Sequence, residues 1–472
     1  MREDMVRPES KMRTAPRPPR MELPREFPGA VWYGEDEVEA AARVIRSRSP
    51  FRYYGPDFQS EVFGLEREFG QFIVSKPGQP WPEQSDIHVT AVNSGTGALE
   101  AALDALGVGA GDEVLVQGFM WISSISAIVR SRAIPVLVDS DDTLNMDPDC
   151  IRAKVTPRTK VIMPVPMLGG CARIGAIMRT VREINAERRQ AGLPPVKVLE
   201  DCAQVLGTHA HGAPGSEVML AAEGIYRVGT FGDAGIFSLQ INKNITAGEG
   251  GLVVTRDAAL ARRIDALHNA GYARDGVPPT NWYGDTPLGW GQGRRLTELQ
   301  GAIARVQLKK LDQILDCMRQ SHNRIEAHLQ RMGLRTRGRA DAQHPGDSGY
   351  YCLFELPAGG KSEAEKIAQG RAVADALREW GLNPWLMHDF EVHVYYNIDA
   401  LVQKAPMNDG APWNCPENAH HVEHSYHRGA LPCLDELFIT TVGINIPSQM
   451  THEHEAHICA VLNYVLEPYL RP

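Results

Sequence analysis

The feature that most constrains the fold is an alternation of strand-like and helix-like segments between residues 88 and 201. Short runs rich in Val, Ile and Leu are typical of strands, and they read HVTAV, EVLVQG, IPVLVDS, TKVIMPVPM and VKVLED. Longer runs between them, such as TGALEAALDAL and IGAIMRTVREINAERRQ, are typical of amphipathic helices. Because a helix between two strands brings those strands parallel, this order predicts an α/β fold with a mainly parallel sheet.

The chain has 472 residues, which is too long for one compact core and predicts two domains. We expect a large domain over residues 27–305, and a smaller α+β domain over residues 306–472. A long helical stretch after Gly293 connects them. Residues 1–26 are basic and proline-rich and lack the apolar segment of a signal peptide, so they predict a flexible N-terminal arm.

Composition excludes several classes of function. The 49 basic and 58 acidic residues give a net charge of −9, which argues against nucleic acid as a main partner. No apolar run is long enough to span a bilayer, so no membrane contact is expected. The eight cysteines are scattered and show no zinc-binding spacing, which is typical of reduced thiols in a cytoplasmic protein.

The turn NSGTGAL lies between a predicted strand and a predicted helix. Free N–H groups at a helix N-terminus bind anions, and Gly95 and Gly97 would let a phosphate approach the backbone closely. Ordinary helix capping by Ser94 or Thr96 is the alternative explanation. The GxGxxG fingerprint of dinucleotide-binding folds is absent, which disfavours an NAD-dependent dehydrogenase.

Two further segments follow predicted strands. Asp201 ends the strand VKVLED, at the sheet edge where parallel sheets bind ligands, and its carboxylate could hold a proton on a ring nitrogen. Gln204 could bind a ring substituent. Trp121, in GFMWISS, could stack on a flat ring. Helix capping by Asp201 and a purely structural place for Trp121 are the alternatives.

Lys243 lies in FSLQINKNITAGEGG, between an apolar run and a glycine cluster. A lysine amine held in such a segment is a candidate for Schiff-base chemistry, although its stem could also pack while the amine reaches water. Ser238 could add a hydroxyl to the phosphate site. A phosphate site, a stacking face, a carboxylate for a pyridine nitrogen and an amine are together what pyridoxal 5′-phosphate (PLP) requires.

These segments, in this order, resemble the DegT/DnrJ/EryC1/StrS aminotransferases, which are fold type I PLP enzymes. The resemblance rests on NSGTGAL, EDCAQ, FGDAGIFS and SLQINKNITAGEGG, and it runs from about Tyr33 to the C-terminus. It implies a seven-stranded, mainly parallel sheet and a homodimer with sites at the interface. It also implies that Lys243 forms the Schiff base and that Asp201 pairs with the pyridinium. The remaining implied cofactor contacts are Gln204 near the ring hydroxyl, Gly95, Thr96 and Ser238 at the phosphate, and Trp121 stacked on the ring.

The activity implied by the resemblance is transamination. L-glutamate or L-glutamine would donate the amino group, and a keto sugar or keto cyclitol would accept it in a second half-reaction at the same site. Another PLP enzyme acting on amino acids, and a non-catalytic ligand-binding regulator of the same fold, are the alternatives. The early loop with Tyr53 and Tyr54, together with His388 and His393, are candidate substrate contacts.

The sequence departs from the family pattern at several positions. Family members carry an asparagine that reaches the neighbouring subunit's phosphate, but the matching position in GQGRRLTE is Gly293, with Arg294 and Arg295 as possible substitutes. Pro166 stands where a histidine is common, and the segment between EDCAQ and FGDAG is unusually long.

Cues to the acceptor disagree. The spacing of Gln240 and Lys243 resembles the aminocyclitol and aminobenzoate branch of the family, whereas SRSPFRYYG and the late stretch PWNCPENAHHVEHSYHRGALPCLDELF resemble the branch that aminates an octulosonate sugar. The late stretch contains a histidine cluster at positions 420, 421, 424 and 427. Its HHxxH spacing resembles metal ligands, but we expect a substrate-covering or surface loop and no metal, because transamination needs none.

Overall fold

The computed structural model describes residues 15–215, 221–272, 289–343 and 345–470. Its helices are α1 (Glu35–Arg46), α2 (Glu61–Val74), α3 (Gly95–Ala105), α4 (Ile122–Arg130), α5 (Pro148–Ile151), α6 (Ile174–Gln190), α7 (Ala258–His268), α8 (Glu298–Arg331), α9 (Glu363–Glu379), α10 (Asp399–Val402), α11 (Pro432–Thr440) and α12 (His452–Leu470). Its strands are β1 (His88–Val92), β2 (Glu113–Gln117), β3 (Ile134–Val138), β4 (Thr159–Met163), β5 (Lys197–Asp201), β6 (His209–Gly212), β7 (Gly224–Arg227), β8 (Ala234–Ser238), β9 (Gly251–Thr255), β10 (Tyr351–Glu355), β11 (Pro384–Leu386) and β12 (Thr441–Asn445).

A seven-stranded sheet in the order β1-β9-β8-β5-β4-β2-β3 organises the large domain. Strand β9 is antiparallel to both of its neighbours, and the other adjacent pairs are parallel. The prediction of a mainly parallel sheet is therefore confirmed. Alternate residues of β2 enter different cores, since Val114 and Val116 pack on one face and Leu115 on the other. Burial on both faces explains why these strands are almost wholly apolar.

The C-terminal part contains a smaller antiparallel sheet in the order β10-β12-β11, packed against α8, α9 and α12. Helix α8 begins at a capping box formed by Thr297 and Gln300 and continues without interruption to Arg331. The domain boundary predicted at residues 305 and 306 falls inside this helix. The exact boundary remains a prediction.

Part of the C-terminal sequence packs back onto the large domain. Phe390, Tyr395, Trp413, Tyr426 and Phe438 belong to the same buried cluster as the residues of β2 and α3. The segment around EVHVYYN contains two 3-10 turns, Glu391–His393 and Tyr395–Asn397, and it approaches the end of β2 through a bridge between Phe119 and Val394. This return of the chain brings residues 393–395 to the carboxyl edge of the main sheet.

The long segment after EDCAQ contains the antiparallel hairpin of β6 and β7, and residues 216–220 within it lie outside the described residues. Residues 1–14 of the predicted N-terminal arm also lie outside them. Among the helices that the structure describes, none combines the length and apolar character needed to cross a membrane.

Candidate active site

The N-terminus of α3 forms the anion-binding end of the site. Ser94 caps the helix, since its Oγ accepts a 2.9 Å hydrogen bond from the backbone N–H of Gly97. Gly95 and Thr96 follow in the first turn and line a cavity of about 520 Å³. Ser238, at the end of β8, lies against them, and a Cβ atom added to Gly95 would be 2.9 Å from the Ser238 Cβ. The capping and anion-binding explanations are therefore compatible, and the turn is a cradle suited to a phosphate.

Asp201 lies at the carboxyl end of β5, where it is 4% exposed and borders the same cavity. Its carboxylate accepts hydrogen bonds from the Ser124 hydroxyl at 2.7 Å and from the Ala203 backbone N–H at 3.2 Å. Burial raises the pKa of Asp201, while these two bonds and the charge of Lys243 oppose that shift. A cationic group placed next to this buried carboxylate would therefore strongly favour its charged form.

Lys243 lies in the loop between β8 and β9 and lines the cavity. Burial lowers the pKa of its amine, against the attraction of Asp201 and Glu249. A lowered pKa increases the neutral fraction of the amine, which is the form that acts as a nucleophile and a base. The next residue anchors the loop, because the Asn244 side chain donates a 2.8 Å hydrogen bond to the carbonyl of Leu206.

Aromatic and amide side chains complete the inner wall. The Trp121 and His393 ring centroids are 4.7 Å apart, and His393 stacks on Phe390 at 4.3 Å with an interplanar angle of 15°. Burial and the nearby Lys243 lower the pKa of His393 to about 4, so its imidazole is neutral at neutral pH. Gln204 is fixed by a 2.8 Å hydrogen bond from the Leu168 backbone N–H to its Oε1.

Three candidate substrate contacts lie outside this cavity within the protomer. Tyr53 is 3% exposed, and its hydroxyl is 3.2 Å from His268 Nε2. Tyr54 is half exposed at 50%. His388 is buried, with its Nε2 3.3 Å from the Asp389 carboxylate. Of the four candidates, His393 lines the cavity, whereas substrate roles for the other three remain predictions.

Sequence reasoning missed several residues in or next to the cavity. Ser124 binds Asp201, and Ser123 accepts a 2.8 Å hydrogen bond from the Thr96 hydroxyl. Both serines follow Trp121 in GFMWISS, so the parallel order of the strands would have placed them at the same sheet edge as Trp121. Phe390 had no comparable signal, since its approach to Trp121 depends on the return of the chain after β11.

Gly293, which replaces the asparagine of the family pattern, forms an antiparallel bridge with Asn269. Arg294 is occupied elsewhere, because its guanidinium makes a 2.7 Å ion pair with Glu100 on α3. Arg295 donates a 3.0 Å hydrogen bond to the Asn269 side chain. Both arginines that could replace the asparagine thus have partners within their own protomer.

The histidine cluster lies at the amino end of β2, away from the cavity. His420 Nε2 and His424 Nε2 are 3.4 and 3.8 Å from the buried carboxylate of Glu113, the first residue of β2. The cavity borders the opposite end of this strand, so the cluster does not line the cavity of its own protomer. Of the two expected places, a surface segment agrees with the partly exposed positions of these histidines, and a substrate-covering role remains a prediction. Within the described ranges, no group of three or more His, Cys, Asp or Glu side chains is placed to hold a metal ion.

The model of the DegT/DnrJ/EryC1/StrS aminotransferase family matches residues 84–379, which include α3, Asp201 and Lys243. The chain belongs to this family. It is therefore an aminotransferase, and the sequence-based recognition is confirmed.

Similar proteins of the DegT/DnrJ/EryC1/StrS family include two curated enzymes. The L-glutamine:2-deoxy-scyllo-inosose aminotransferase of Streptomyces kanamyceticus is 36% identical over 317 residues, which is 66% of each chain. The 3-amino-5-hydroxybenzoate synthase of Amycolatopsis mediterranei (strain S699) is 31% identical over 410 residues, covering 84% of this chain and 92% of that one. A crystal structure of a 3-amino-5-hydroxybenzoic acid synthase, 28% identical, superposes with a TM-score of 0.68 over 96% of this chain and 100% of that chain.

The cofactor of this family is PLP, and the residues of this chain fit it. Gly95 and Ser238 form a cradle that an added Cβ atom would fill, beside the N-terminus of α3. The buried carboxylate of Asp201 would suit a cationic ring nitrogen, and Lys243 has an amine of lowered pKa. Trp121 offers an aromatic face in the same cavity.

Proposed function

We propose that the protein transfers an amino group from L-glutamine or L-glutamate to a keto cyclitol or keto sugar. The observation that carries the proposal is the convergence of Lys243, Asp201 and the α3 cradle on one cavity. The names of the curated relatives support L-glutamine as the donor and a keto cyclitol as the acceptor. These names also agree with the spacing of Gln240 and Lys243, which resembles the aminocyclitol and aminobenzoate branch. They do not favour the octulosonate branch that the late stretch resembles.

Each predicted site residue has a role that its chemistry supports. Gly95, Thr96 and Ser238 would bind the phosphate, and Asp201 would hold the positive charge of the ring nitrogen. When bound, PLP supplies a carbonyl that takes up the amino group and a ring that delocalises the electrons of the broken Cα–H bond. Lys243 Nζ would hold the cofactor at that carbonyl, and its amine would serve as the base for the proton of the donor Cα.

The order of the reaction follows from the single cavity. The donor must react and leave before the acceptor enters, because both need the same Lys243 amine, so we expect ping-pong kinetics. Trp121 and His393 would exclude water from one side of the reacting atoms. Gln204 would orient the ring through its amide.

Absorbance of the PLP-loaded protein tests the first half-reaction. Addition of L-glutamine or L-glutamate should convert the visible band of the lysine-bound cofactor to the band of its amino form. Conversion followed by amination of 2-deoxy-scyllo-inosose would support the proposal. Loss of the band with release of another product would favour a different PLP reaction on amino acids, and a PLP-bound protein that converts no donor would favour a binding regulator.

We also propose a homodimer with its sites at the interface, as the family resemblance implies. Sedimentation equilibrium of the PLP-loaded protein should give twice the mass of one chain, and a monomer that retains full activity would contradict the proposal. The cytoplasmic location remains a prediction based on the cysteine pattern.

A further inference from the structure

The segment before α1 is held at both of its ends and reaches the cofactor cavity. At its start, the Arg17 guanidinium lies 5.3 Å from the ring centroid of Trp380 in the C-terminal domain. At its end, the Gly29 backbone N–H donates a 3.2 Å hydrogen bond to the carbonyl of Lys243. Glu26 lies between these anchors and lines the cavity. The anchoring fixes the backbone on which Glu26 is carried.

Glu26 is one of the acidic residues that line the cavity, and it lies close to Tyr350 and Tyr351. The Asn383 side chain donates a 2.9 Å hydrogen bond to Glu26 Oε1, which orients the carboxylate. Tyr350 and Tyr351 line the same cavity, with ring centroids 4.6 Å apart. Burial raises the pKa of the Tyr351 phenol, and the negative charge of Glu26 raises it further. The carboxylate therefore lies near two phenol groups in a partly desolvated position.

A series of aromatic contacts links Trp385 to Trp121 in the same cavity. Trp385 meets Phe390 edge to face at 4.7 Å, Phe390 stacks on His393, and His393 contacts Trp121. All four rings line the cavity. Apolar aromatic side chains with a few polar groups beside them are suited to a ligand ring that has C–H bonds on its faces and hydroxyls on its edge.

The cavity is lined by more acidic than basic side chains. Among the described residues that line it, Lys243 is accompanied by four residues with acidic side chains, namely Glu26, Asp201, Glu249 and Glu391. Lys243 and Asp201 are used by the cofactor. The remaining carboxylates repel an acceptor that carries phosphate groups, because like charges in a partly closed cleft cost free energy.

We propose that Glu26, Tyr351 and Trp385 form the acceptor subsite for the hydroxyl-bearing ring of a free, uncharged keto cyclitol or keto sugar, with Glu26 as the specificity-determining residue. A carboxylate accepts charge-assisted hydrogen bonds from hydroxyls on neighbouring ring carbons, while the C–H face of the ring packs on the indole. The inference rests on the proposed function, since it assigns the acceptor of that reaction. It excludes a nucleotide diphosphate as part of the acceptor.

Calorimetry of the PLP-loaded enzyme without an amino donor tests this subsite. Under that condition 2-deoxy-scyllo-inosose can bind but cannot be aminated, so its dissociation constant is read without turnover. Glu26→Gln keeps the shape and removes the charge, and we expect it to raise the dissociation constant about tenfold. Glu22→Gln removes the same charge from an exposed position of the same segment and should leave the constant within about twofold.

Two further measurements distinguish a failure of the proposed subsite from a failure of the proposed aminotransferase function. The donor half-reaction of Glu26→Gln with L-glutamine should be affected less than cyclitol binding, because the proposed contact of Glu26 is with the acceptor. Uridine diphosphate should not displace 2-deoxy-scyllo-inosose from the wild type. Unchanged cyclitol binding in Glu26→Gln, displacement by uridine diphosphate, or loss of the donor half-reaction in the variant would each overturn the subsite. A wild type that reacts with no donor would instead refute the proposed aminotransferase function.

Discussion

The hydroxyl of Ser124 donates a 2.7 Å hydrogen bond to the buried carboxylate of Asp201. Ser124 belongs to the first turn of α4 and Asp201 to the end of β5, so the bond links a helix to a central strand. Burial raises the pKa of Asp201, and the Ser124 bond is the largest of the contacts that lower it. Ser124 is therefore a positioning residue that helps to keep Asp201 ionised.

Replacement of Ser124 by Ala should shift the acid limb of the pH–rate profile to higher pH. The lost bond stabilises the charged carboxylate, so its removal raises the pKa of Asp201 and a higher pH is needed to ionise it. We expect the donor half-reaction to slow by roughly tenfold at the lower end of the profile. The matched control is Ser131→Ala at the C-terminal cap of the same helix, where the hydroxyl donates to the Ala127 carbonyl. An unshifted acid limb in Ser124→Ala would contradict the role.

Replacement of Lys243 by Ala should abolish amino transfer, because the variant lacks both the nucleophile and the base. We expect a loss of at least about 10³-fold with L-glutamine and L-glutamate. Borohydride reduction followed by mass spectrometry should attach the cofactor to the wild type and to Lys160→Ala, a control on the partly exposed face of β4, but not to Lys243→Ala. Robust transamination by Lys243→Ala would remove the lysine from its assigned role.

The sheet and the cofactor end of the site were predictable from sequence because their signals are local. Strands that are buried on both faces are recognisable in the sequence as continuous apolar runs. Because such strands are parallel, the residues that follow them lie at the same carboxyl edge of the sheet. Asp201 and Gly95 meet at the cavity for this reason. Lys243 follows β8 at the same edge and completes the set.

The acceptor end was not predictable, because it depends on contacts between distant parts of the chain. Glu26 reaches the cavity only because the segment before α1 is fixed to both domains, and Phe390 only because the chain returns from β11 to the main sheet. The same return carries His424 to the far end of β2, near Glu113, where no local pattern would place it. Spacing within a sequence does not report such long-range packing.

Replacement of Gly29 by Ala should disturb the Lys243 loop without touching a reacting atom. A Cβ atom at this position would lie 2.7 Å from the Ile245 Cα and 3.0 Å from the Asn244 carbonyl oxygen, so the loop backbone must move. We expect a loss of roughly 1–3 kcal/mol in the free energy of unfolding and weaker PLP binding. Fluorescence titration with PLP and chemical denaturation measure the two effects.

The control for this prediction is Gly109→Ala, where an added Cβ atom has no atom within 4 Å. This variant should bind PLP as the wild type does. Equal PLP affinity in Gly29→Ala and the wild type would show that the loop tolerates the displacement, and would end the argument that this segment positions Lys243.

Glu113 links the return segment to the large domain, and its titration should be visible in the stability of the protein. Burial raises the pKa of this carboxylate, but the His424 imidazole, the Thr156 hydroxyl and the Arg158 guanidinium outweigh burial and lower it from 4.5 to about 2. Arg158 Nε donates a 3.1 Å hydrogen bond, whereas His424 at 3.8 Å acts through electrostatics. The ionised form is therefore the one that stabilises the fold.

The sign of the pH dependence follows from the lowered pKa. The stabilisation is complete above pH 4.5 and is lost as the pH falls toward about 2, where the folded protein takes up the proton. It amounts to something on the order of 3 kcal/mol at neutral pH. Glu113→Gln should therefore unfold more easily than the wild type near neutral pH, and the difference in melting temperature should shrink as the pH is lowered through this window. Glu39→Gln, which removes an exposed ion pair with Arg46, should change the melting temperature little at any pH. A difference between Glu113→Gln and the wild type that stays constant below pH 4.5 would show that the carboxylate does not titrate as its contacts require.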